Sequence, residues 1–404
     1  MVNSIAGLWE FASWRKNDHS SGDGAVSVAN GRLVPCGVGH RPRQSGKSTL
    51  VREVFPDYEY VNLEDPNLRA VAAEDPVGFI RNRSPHLVVD EAQYVPDLFS
   101  MIQVVSDENG TPGQYILSGS QNFLLLKSIT QSLAGRVGLL KLLPLSYAEL
   151  LGGGISSGVD EFMIRGGYPR LYDVDMGADI FFEAYISTYV ERDVAGYLDV
   201  RDVAAFRTVL RLCASNAGNL INYSNLARDA DVGFRTVKSW MSILESSYIV
   251  FPLEPWHSNL GKRLTKTPKL YFYDTGLLCH LLGIRTVPQL LSHPMLGAVF
   301  ENLIVSETVK RYLNRGKNPE LYFYRDDSKR EIDLLDFTDP NNRLAIEIKS
   351  SQTYHGRYGK TLVDVGDMLG VPADGRMVVY RGDVGLQANG FAVTSAADYI
   401  GQSA

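Results

Sequence analysis

The sequence lacks any long apolar run and contains very little cysteine. None of its segments reaches the roughly 18 consecutive apolar residues that a membrane-spanning helix needs. The first twenty residues lack the basic-then-apolar order of a secretory signal. The three cysteines, Cys36, Cys213 and Cys279, are far apart and odd in number, which excludes a disulfide framework and a metal-knuckle spacing. We therefore expect a soluble, cytoplasmic protein from a reducing compartment, with no membrane partner.

A strong excess of charge of either sign is also missing. The 404 residues are 45% hydrophobic and 21% charged, and the formal net charge is −6. This balance excludes disordered, collagen-like and coiled-coil classes, and argues against a chain coated with basic residues for binding nucleic acid. At about 150 residues per domain, the length predicts two or three globular domains, each with its own hydrophobic core.

Apolar runs alternate with helical patterns from residue 41 to residue 150. The runs YEYVNL (58–63), HLVVDE (86–91) and QYILSGS (114–120) are short and end in polar residues, and helix-like segments separate them. Buried strands that alternate with helices are typical of a parallel sheet. This region is therefore predicted to form an α/β domain.

A phosphate-binding pattern opens this region. Residues 43–49 read RQSGKST, which contains the last part of the pattern G-x-x-x-x-G-K-[ST]. Glycine lets backbone N–H groups approach the phosphates, the lysine reaches the β- and γ-phosphates, and the hydroxyl binds Mg²⁺. The first glycine of the pattern is replaced by Arg41, whose side chain would crowd the phosphates. The candidate ATP-binding residues are Gln44, Ser45, Gly46, Lys47, Ser48 and Thr49.

An acidic pair completes the predicted nucleotide site. Asp90 and Glu91 end the apolar run LVVDE, where we expect Asp90 to bind Mg²⁺ and Glu91 to act as the hydrolytic base. Ser118 and Ser120 end the next predicted strand, where a polar residue can sense the γ-phosphate. Arg136 is a candidate transition-state arginine. The alternative is a strand followed by a solvated acidic turn, but both motifs stand in the order that an ATPase requires.

These segments resemble, in order, a large prokaryotic family of AAA-type ATPases whose C-terminal half is a domain of unknown function. The resemblance rests on RQSGKSTL, YVNLEDPNLR, LVVDEAQYVPDLF, ILSGSQNFLLL and SLAGRVGLLKLLPLSYAEL, then on RGGYP, YVERDV, KTPKLYFYDTGL, FENLIVSE and AIEIKSSQ. It covers residues 41–355 and implies an ATP-binding domain, a winged-helix segment and a nuclease-like C-terminal fold. Residues 1–40 do not follow the family pattern, and one hypothesis is that they are disordered or come from a shifted reading frame.

A basic segment in the middle of the chain has the pattern of a winged helix. Residues 223–251 read as helix, turn, helix and strand, and Arg235 and Lys238 lie on the polar face of the second helix. A recognition helix presents such a face to the major groove of DNA. The basic loop 261–269 adds Lys262 and Arg263 as candidate phosphate contacts. The alternative is a protein-interaction or lid module with a solvated basic surface.

Acidic residues and a lysine recur on the predicted C-terminal strands. Asp333 lies in EIDLL, Glu347 and Lys349 lie in AIEIK, and Glu301 precedes them on a helix. This order is typical of the restriction-endonuclease-like fold, in which carboxylates hold Mg²⁺ and the lysine stabilises the charge of the reaction. The alternative is an edge strand that alternates charged and apolar residues for solubility.

Together these patterns predict an α/β protein with several domains. A P-loop NTPase domain with a parallel sheet is expected at 41–150, a helical lid or linker at 151–200, a winged-helix domain at 201–285 and a nuclease-like α/β domain at 286–404. The leading interpretation is an ATPase with ATP and Mg²⁺ as cofactors and DNA as a candidate partner. The alternatives are a DNA-binding regulatory or scaffolding protein with an impaired P-loop, which Arg41 favours, and a metal-dependent nuclease. A homo-oligomer is compatible with the sequence.

Overall fold

The structure is a computed structural model that describes residues 36–40, 47–83, 85–110, 113–119, 133, 137–190, 202–257 and 267–402. The chain divides into two compact units. The first runs to Leu143 and includes the short segments 246–248 and 313–317; the second holds residues 144–245, 249–312 and 318–404. Among the described residues, no helix is both long enough and apolar enough to cross a membrane.

A five-stranded parallel sheet forms the centre of the first unit. Its strands are β1 (Cys36–His40), β2 (Glu59–Asn62), β3 (Leu87–Asp90), β4 (Tyr115–Gly119) and β5 (Val137–Lys141). Their order is β2-β3-β4-β1-β5, and every neighbouring pair is parallel. The helices of this unit are α1 (Lys47–Val54), α2 (Pro66–Glu74), α3 (Pro76–Arg81) and α4 (Asp97–Asn109). The α/β class and the three expected strands are confirmed.

The apolar run at 86–91 becomes a central strand because both faces of this sheet are covered. All four residues of β3 are buried. On one face, Leu98 and Phe99 of α4 pack in a core with Leu87 and Val89. On the other face, residues of α1 pack against Val88. A strand that is buried on both faces has no polar side, which is why its sequence is continuously apolar until it ends at the acidic pair.

Strand β1 forms although its sequence, CGVGH, contains two glycines. It lies between β4 and β5, with Cys36 in register with Tyr115 and with Val137. A central strand exchanges backbone hydrogen bonds on both sides, and this pairing outweighs the low strand propensity of glycine. Residues 36–40 therefore belong to the sheet, whereas the rest of the segment predicted to be atypical, residues 1–35, lies outside the described residues.

The second unit begins with helices and continues into a mixed sheet. The helices are α5 (Tyr147–Gly152), α6 (Val159–Arg165), α7 (Arg170–Asp173), α8 (Ala178–Tyr185), α9 (Val203–Ser215), α10 (Tyr223–Asp229), α11 (Phe234–Ser246), α12 (Thr275–Leu281), α13 (Val287–Ser292), α14 (Leu296–Leu313), α15 (Lys360–Leu369) and α16 (Ala396–Gly401). The strands are β6 (Val250–Pro255), β7 (Lys269–Phe272), β8 (Leu321–Arg325), β9 (Glu331–Asp336), β10 (Leu344–Lys349), β11 (Arg376–Tyr380), β12 (Leu386–Ala388) and β13 (Phe391–Ser395).

One sheet joins the segment predicted as a winged helix to the segment predicted as nuclease-like. Helices α10 and α11 are followed by the antiparallel pair β6 and β7, in the order expected for residues 201–285. Strand β6 also pairs with β8, so the sheet has the order β12-β13-β11-β10-β9-β8-β6-β7. The helices and the hairpin are thus physically continuous with the C-terminal strands, a continuity that local patterns do not reveal.

Helix α14 is buried along most of its length and is hydrogen-bonded to two other elements, β7 and α5. The side chain of Asn302 accepts a hydrogen bond from the backbone N–H of Phe272 at 2.7 Å and donates one to its carbonyl oxygen at 2.9 Å. One turn and a half later, Glu307 accepts a hydrogen bond from the backbone N–H of Tyr147 and pairs with buried Lys310. These contacts fix α14 against β7 and α5, and they set where Glu301 lies.

Candidate functional site

Asp90 is the centre of a hydrogen-bonded cluster at the carboxyl end of the first sheet. It ends β3 and is 2% exposed. Its Oδ2 accepts hydrogen bonds from the hydroxyl of Ser48 at 2.6 Å and from the phenol of Tyr60 at 2.5 Å. Its Oδ1 accepts from the hydroxyl of Ser118 at 2.6 Å and from the backbone N–H of Glu91 at 3.0 Å. The structure therefore brings two predicted residues, Ser48 and Asp90, into direct contact.

Glu91 has a backbone conformation that ordinary residues rarely adopt. Its φ is 56° and its ψ is 40°, in the left-handed region, which costs a non-glycine residue roughly 1–2 kcal/mol. The strand ends at this turn, and the Glu91 side chain is buried, where its Oε2 accepts a hydrogen bond from Gln93 at 2.5 Å. Strained backbone of this kind is concentrated at functional sites, because the surrounding structure must hold it in place.

The remaining predicted nucleotide-site residues are only partly described. Arg41, Gln44, Ser45 and Gly46 lie outside the described residues, as do Ser120 and Arg136. The backbone of Lys47 begins α1, and Thr49 on the same helix is exposed. Ser118, expected near the γ-phosphate, lies beside Asp90, and its hydroxyl donates a hydrogen bond to the carboxylate.

Tyr60 is a member of the Asp90 cluster that sequence patterns do not reveal. It lies on β2, which is the edge strand next to β3. Burial, together with the hydrogen bond to Asp90, raises the pKa of its phenol to about 12. The only local signal is its position in the run YEYVNL, two residues before Asn62, which is in register with Asp90.

The C-terminal acidic residues converge, but they form two separate groups with lysines. In the first group, buried Lys269 of β7 contacts Glu301 at 3.0 Å and Glu331 at 2.7 Å. The phenol of Tyr271 donates a hydrogen bond to the same Glu301 oxygen at 2.5 Å. Burial and the nearby Asp333 raise the pKa of Glu301. Lys269 and Tyr271 were not predicted, and their alternation along β7 is the local signal for them.

In the second group, Lys349 of β10 is 2.5 Å from Glu347 and 3.9 Å from Asp333. The Asp333 carboxylate also accepts a hydrogen bond from the backbone N–H of Ile348 at 2.7 Å. Burial, with the like charge of Asp333, raises the pKa of Glu347 to about 8. The Oε2 atom of Glu347 is buried and has no hydrogen-bond partner among the described residues.

This arrangement differs from the predicted three-carboxylate metal site. In the part of the chain that the structure describes, no three His, Cys, Asp or Glu side chains are placed so that they could hold a metal ion together. The carboxylates contact other groups instead. Lys269 pairs with Glu301, Tyr271 donates a hydrogen bond to Glu301, and Lys349 pairs with Glu347. Glu301, Asp333 and Glu347 are neighbours, but ammonium groups balance their charges here.

The exposed face of α11 carries the two predicted DNA-contacting residues that the structure describes. Arg235 and Lys238 are exposed, and Phe234 at the start of the helix is 45% exposed. The Lys238 ammonium lies 5.2 Å from the ring centroid of Phe234 and 5.7 Å from that of Tyr223. Lys262 and Arg263 lie outside the described residues.

Comparison with known protein families gives three matches along the chain. Residues 41–151 match the AAA domain family. Residues 156–287 match a domain of unknown function (DUF8612), and residues 296–399 match another (DUF4143). The AAA match confirms the expected P-loop AAA-type domain, while the other two descriptions name no function.

Several individual proteins are also similar to this chain. The uncharacterized proteins Rv2008c of Mycobacterium tuberculosis and Mb2031c of Mycobacterium bovis are each 34% identical to it over 317 residues, which is 77% of this chain and 69% of theirs. An uncharacterized protein of Haemophilus influenzae is 24% identical over 329 residues, 72% of this chain and 77% of its own. Among solved structures, the Walker-type ATPase of Pyrococcus abyssi aligns with a TM-score of 0.43 at 13% identity, over 70% of this chain and 96% of its own.

Proposed function

Because the chain belongs to the same family as the uncharacterized protein Rv2008c of Mycobacterium tuberculosis and its residues 41–151 match the AAA domain family, we propose that it binds ATP with Mg²⁺ and hydrolyses it. The observation that carries this proposal is the 2.6 Å hydrogen bond between Ser48 and Asp90. A P-loop hydroxyl and a strand-end aspartate in contact are the pair that holds Mg²⁺ in P-loop NTPases. Ser48 and Asp90 would hold the ion here, and the ion would neutralise charge on the phosphates.

The sheet topology supports the same location for the nucleotide. Strands β1, β3 and β4 are parallel, so their carboxyl ends meet at one edge of the sheet. Ligands of open α/β sheets bind at that edge. Strand β1 ends at His40 and α1 begins at Lys47. We assign the β- and γ-phosphates to the α1 N-terminus and to Lys47, with Gln44, Ser45, Gly46 and Thr49 completing the loop.

Glu91 is the proposed hydrolytic base. It follows Asp90 directly, and its strained turn holds it beside the Mg²⁺-binding carboxylate. A carboxylate in this position accepts the proton of the attacking water as the water attacks the γ-phosphate. Ser120 and Arg136 are proposed as the polar sensor and the transition-state arginine, and the site of action is proposed to be the cytoplasm.

The test is an ATP-binding titration with and without Mg²⁺, together with a turnover assay. Lys47→Ala abolishes both binding and turnover, whereas Glu91→Gln retains binding and loses turnover by roughly 10²- to 10⁴-fold. Glu74→Gln, an exposed glutamate on α2, is the matched control and retains both. Turnover that survives in Lys47→Ala contradicts the proposal. If only an Arg41→Gly variant binds ATP, the natural chain is instead the scaffolding protein with an impaired P-loop.

Binding of DNA is a second candidate function, favoured by the exposed face of α11. Arg235 and Lys238 could contact phosphates, and the partly exposed ring of Phe234 lies next to them. Neutralising one phosphate-contacting residue lowers the slope of log affinity against log salt by about one. Arg235→Gln and Lys238→Gln are expected to do so. Arg228→Gln on α10 is the control, because Arg228 pairs with Asp229.

Cleavage of DNA is a third candidate, favoured by the Oε2 atom of buried Glu347, which has no hydrogen-bond partner in the described part of the chain. A divalent ion would have to displace Lys349 from Glu347, after which Lys349 could stabilise charge on the phosphate. The test is nicking of supercoiled DNA in Mg²⁺ or Mn²⁺ by Asp333→Ala and Lys349→Ala, with exposed Lys360→Ala as control. Nicking that disappears in both variants supports a nuclease, and nicking that persists in both comes from a contaminant.

A further inference from the structure

Tyr60 and Ser48 share one oxygen atom of Asp90. The Tyr60 phenol donates to Oδ2 at 2.5 Å, and the Ser48 hydroxyl donates to the same atom at 2.6 Å. The other oxygen, Oδ1, is held by Ser118 and by the Glu91 backbone. The carboxylate therefore has donors on both oxygens, and Tyr60 is the one that comes from the edge strand β2.

The ring of Tyr60 is itself held in place by the helix that follows the P-loop. The ring packs against a buried cluster that contains Val51 and Val54 of α1, Phe55 directly after this helix, and Val88 of β3. The guanidinium of Arg52 on α1 lies 3.9 Å from the ring centroid, which is a cation–π contact. Helix α1 is thus linked to Asp90 in two ways. Ser48 contacts the carboxylate directly, and Arg52 contacts the ring of Tyr60, whose hydroxyl contacts the carboxylate.

Resting on the proposed ATPase function, we propose that Tyr60 is a positioning residue for the Mg²⁺ of the bound nucleotide. Its phenol fixes the orientation of the Asp90 carboxylate, while the Ser48 hydroxyl binds the ion. A carboxylate that loses such a partner can rotate, and the groups that hydrogen-bond to metal ligands typically contribute 10- to 100-fold in metal affinity. Tyr60 acts through Asp90 and has no assigned contact with the nucleotide.

The experiment compares the Mg²⁺ dependence of ATP binding in Tyr60→Phe and in Tyr58→Phe, using the full chain. Phenylalanine keeps the ring against Arg52 and removes only the hydroxyl. Tyr58 is a matched control because its hydroxyl donates to the carbonyl oxygen of Gly113, away from Asp90. We expect Tyr60→Phe to raise the Mg²⁺ concentration for half-maximal ATP binding by about 10- to 100-fold, and Tyr58→Phe to leave it unchanged.

Calorimetry with ATP in excess EDTA supplies the second readout. ATP affinity without Mg²⁺ stays within about twofold of the natural chain in Tyr60→Phe if the role is positioning of the ion. An unchanged Mg²⁺ midpoint overturns the inference, and so does an equal loss of ATP affinity with and without Mg²⁺, which marks a structural role. If the natural chain binds no ATP at saturating Mg²⁺, the proposed function itself fails, an outcome distinct from the other two.

Discussion

Asp90 in the first unit and Glu347 in the second are both buried carboxylates on sheet strands, but different groups hold them. Asp90 accepts hydrogen bonds from neutral donors, namely Ser48, Tyr60, Ser118 and a backbone N–H. Glu347 contacts the ammonium of Lys349, and nearby Glu301 contacts that of Lys269. Neutral donors orient a carboxylate without cancelling its charge, whereas an ammonium supplies the opposite charge within the fold.

The two sets of partners differ in what a metal ion would have to displace. The donors of Asp90 fix the direction of its carboxylate. At the C-terminal carboxylates, a metal ion would have to compete with Lys269 and Lys349. The two sites are therefore expected to respond differently when a single charge is removed.

The largest expected effect is the loss of the buried lysine in the second unit. Lys269→Met removes the buried cation that contacts Glu301 and leaves Glu331 with Arg325 at 3.6 Å, and breaking a buried ion pair costs about 3–5 kcal/mol. Urea unfolding of the full chain, followed by tryptophan fluorescence, measures this loss. Exposed Lys360→Met is the control and changes stability by less than about 0.5 kcal/mol.

A second change sharpens the result. Glu301→Gln added to Lys269→Met removes one uncompensated charge, so the double variant should recover part of the lost stability. A loss below about 1 kcal/mol in Lys269→Met itself would mean that these carboxylates do not depend on the ammonium, and the contrast with Asp90 would disappear.

An intermediate effect is expected from the pH dependence of Glu347. Its pKa is raised to about 8 in the folded protein, above the unfolded value near 4.5, so the folded state binds the extra proton between those pH values. The stability that this proton contributes is complete below about pH 4.5 and is lost as pH rises through 8. Glu347→Gln should therefore become more stable than the natural chain, by at least about 1 kcal/mol, between pH 5 and pH 8.5.

The measurement is the unfolding free energy of both proteins across that pH range, with exposed Glu320→Gln as a control that keeps the natural slope. Parallel pH profiles for the natural chain and Glu347→Gln would show that Glu347 is ionised in the folded state at neutral pH. In that case Glu347 would be an ionised carboxylate paired with the Lys349 ammonium.

The smallest effect is expected at Asp90 in the absence of nucleotide. Asp90→Asn keeps an oxygen that can accept from the hydroxyl donors, so the loss should be near the value of one hydrogen bond, about 1 kcal/mol. Backbone hydrogen exchange of the β3 and α1 peptides measures this change locally. Glu74→Gln serves as the control. A loss comparable to that of Lys269→Met would remove the distinction between neutral and charged partners.

The first sheet could be predicted from local patterns to a large extent. The runs at 58–63, 86–91 and 114–120 became β2, β3 and β4, because short runs rich in apolar residues and bounded by polar ones are typical of strands in a parallel sheet. Asp90 and Ser48 could also be predicted, since each belongs to a short motif with its own chemistry. Strand β1 was harder to anticipate, because CGVGH has little strand propensity and depends on pairing with β4 and β5.

The partners of the predicted residues could not be found in this way. Tyr60 is 30 residues from Asp90, and Lys269 is 32 residues from Glu301. Such contacts depend on strand order, on register and on how α14 is clamped to β7 by Asn302. A one-residue shift of register would turn Lys269 and Tyr271 to the other face of the sheet.

By itself, the sequence determined the parallel α/β class of the first unit, the order of its motifs and the pairing of a P-loop hydroxyl with a strand-end aspartate. Those features follow from short-range periodicity and from residue chemistry at fixed spacing. The tertiary structure was needed to show that Lys269 and Lys349 contact the C-terminal carboxylates, and that the helix–hairpin segment shares a sheet with the C-terminal strands. The physical reason is that a buried charge is stabilised by polar or oppositely charged groups within about 3 Å. Residues that are distant in the sequence supply those groups.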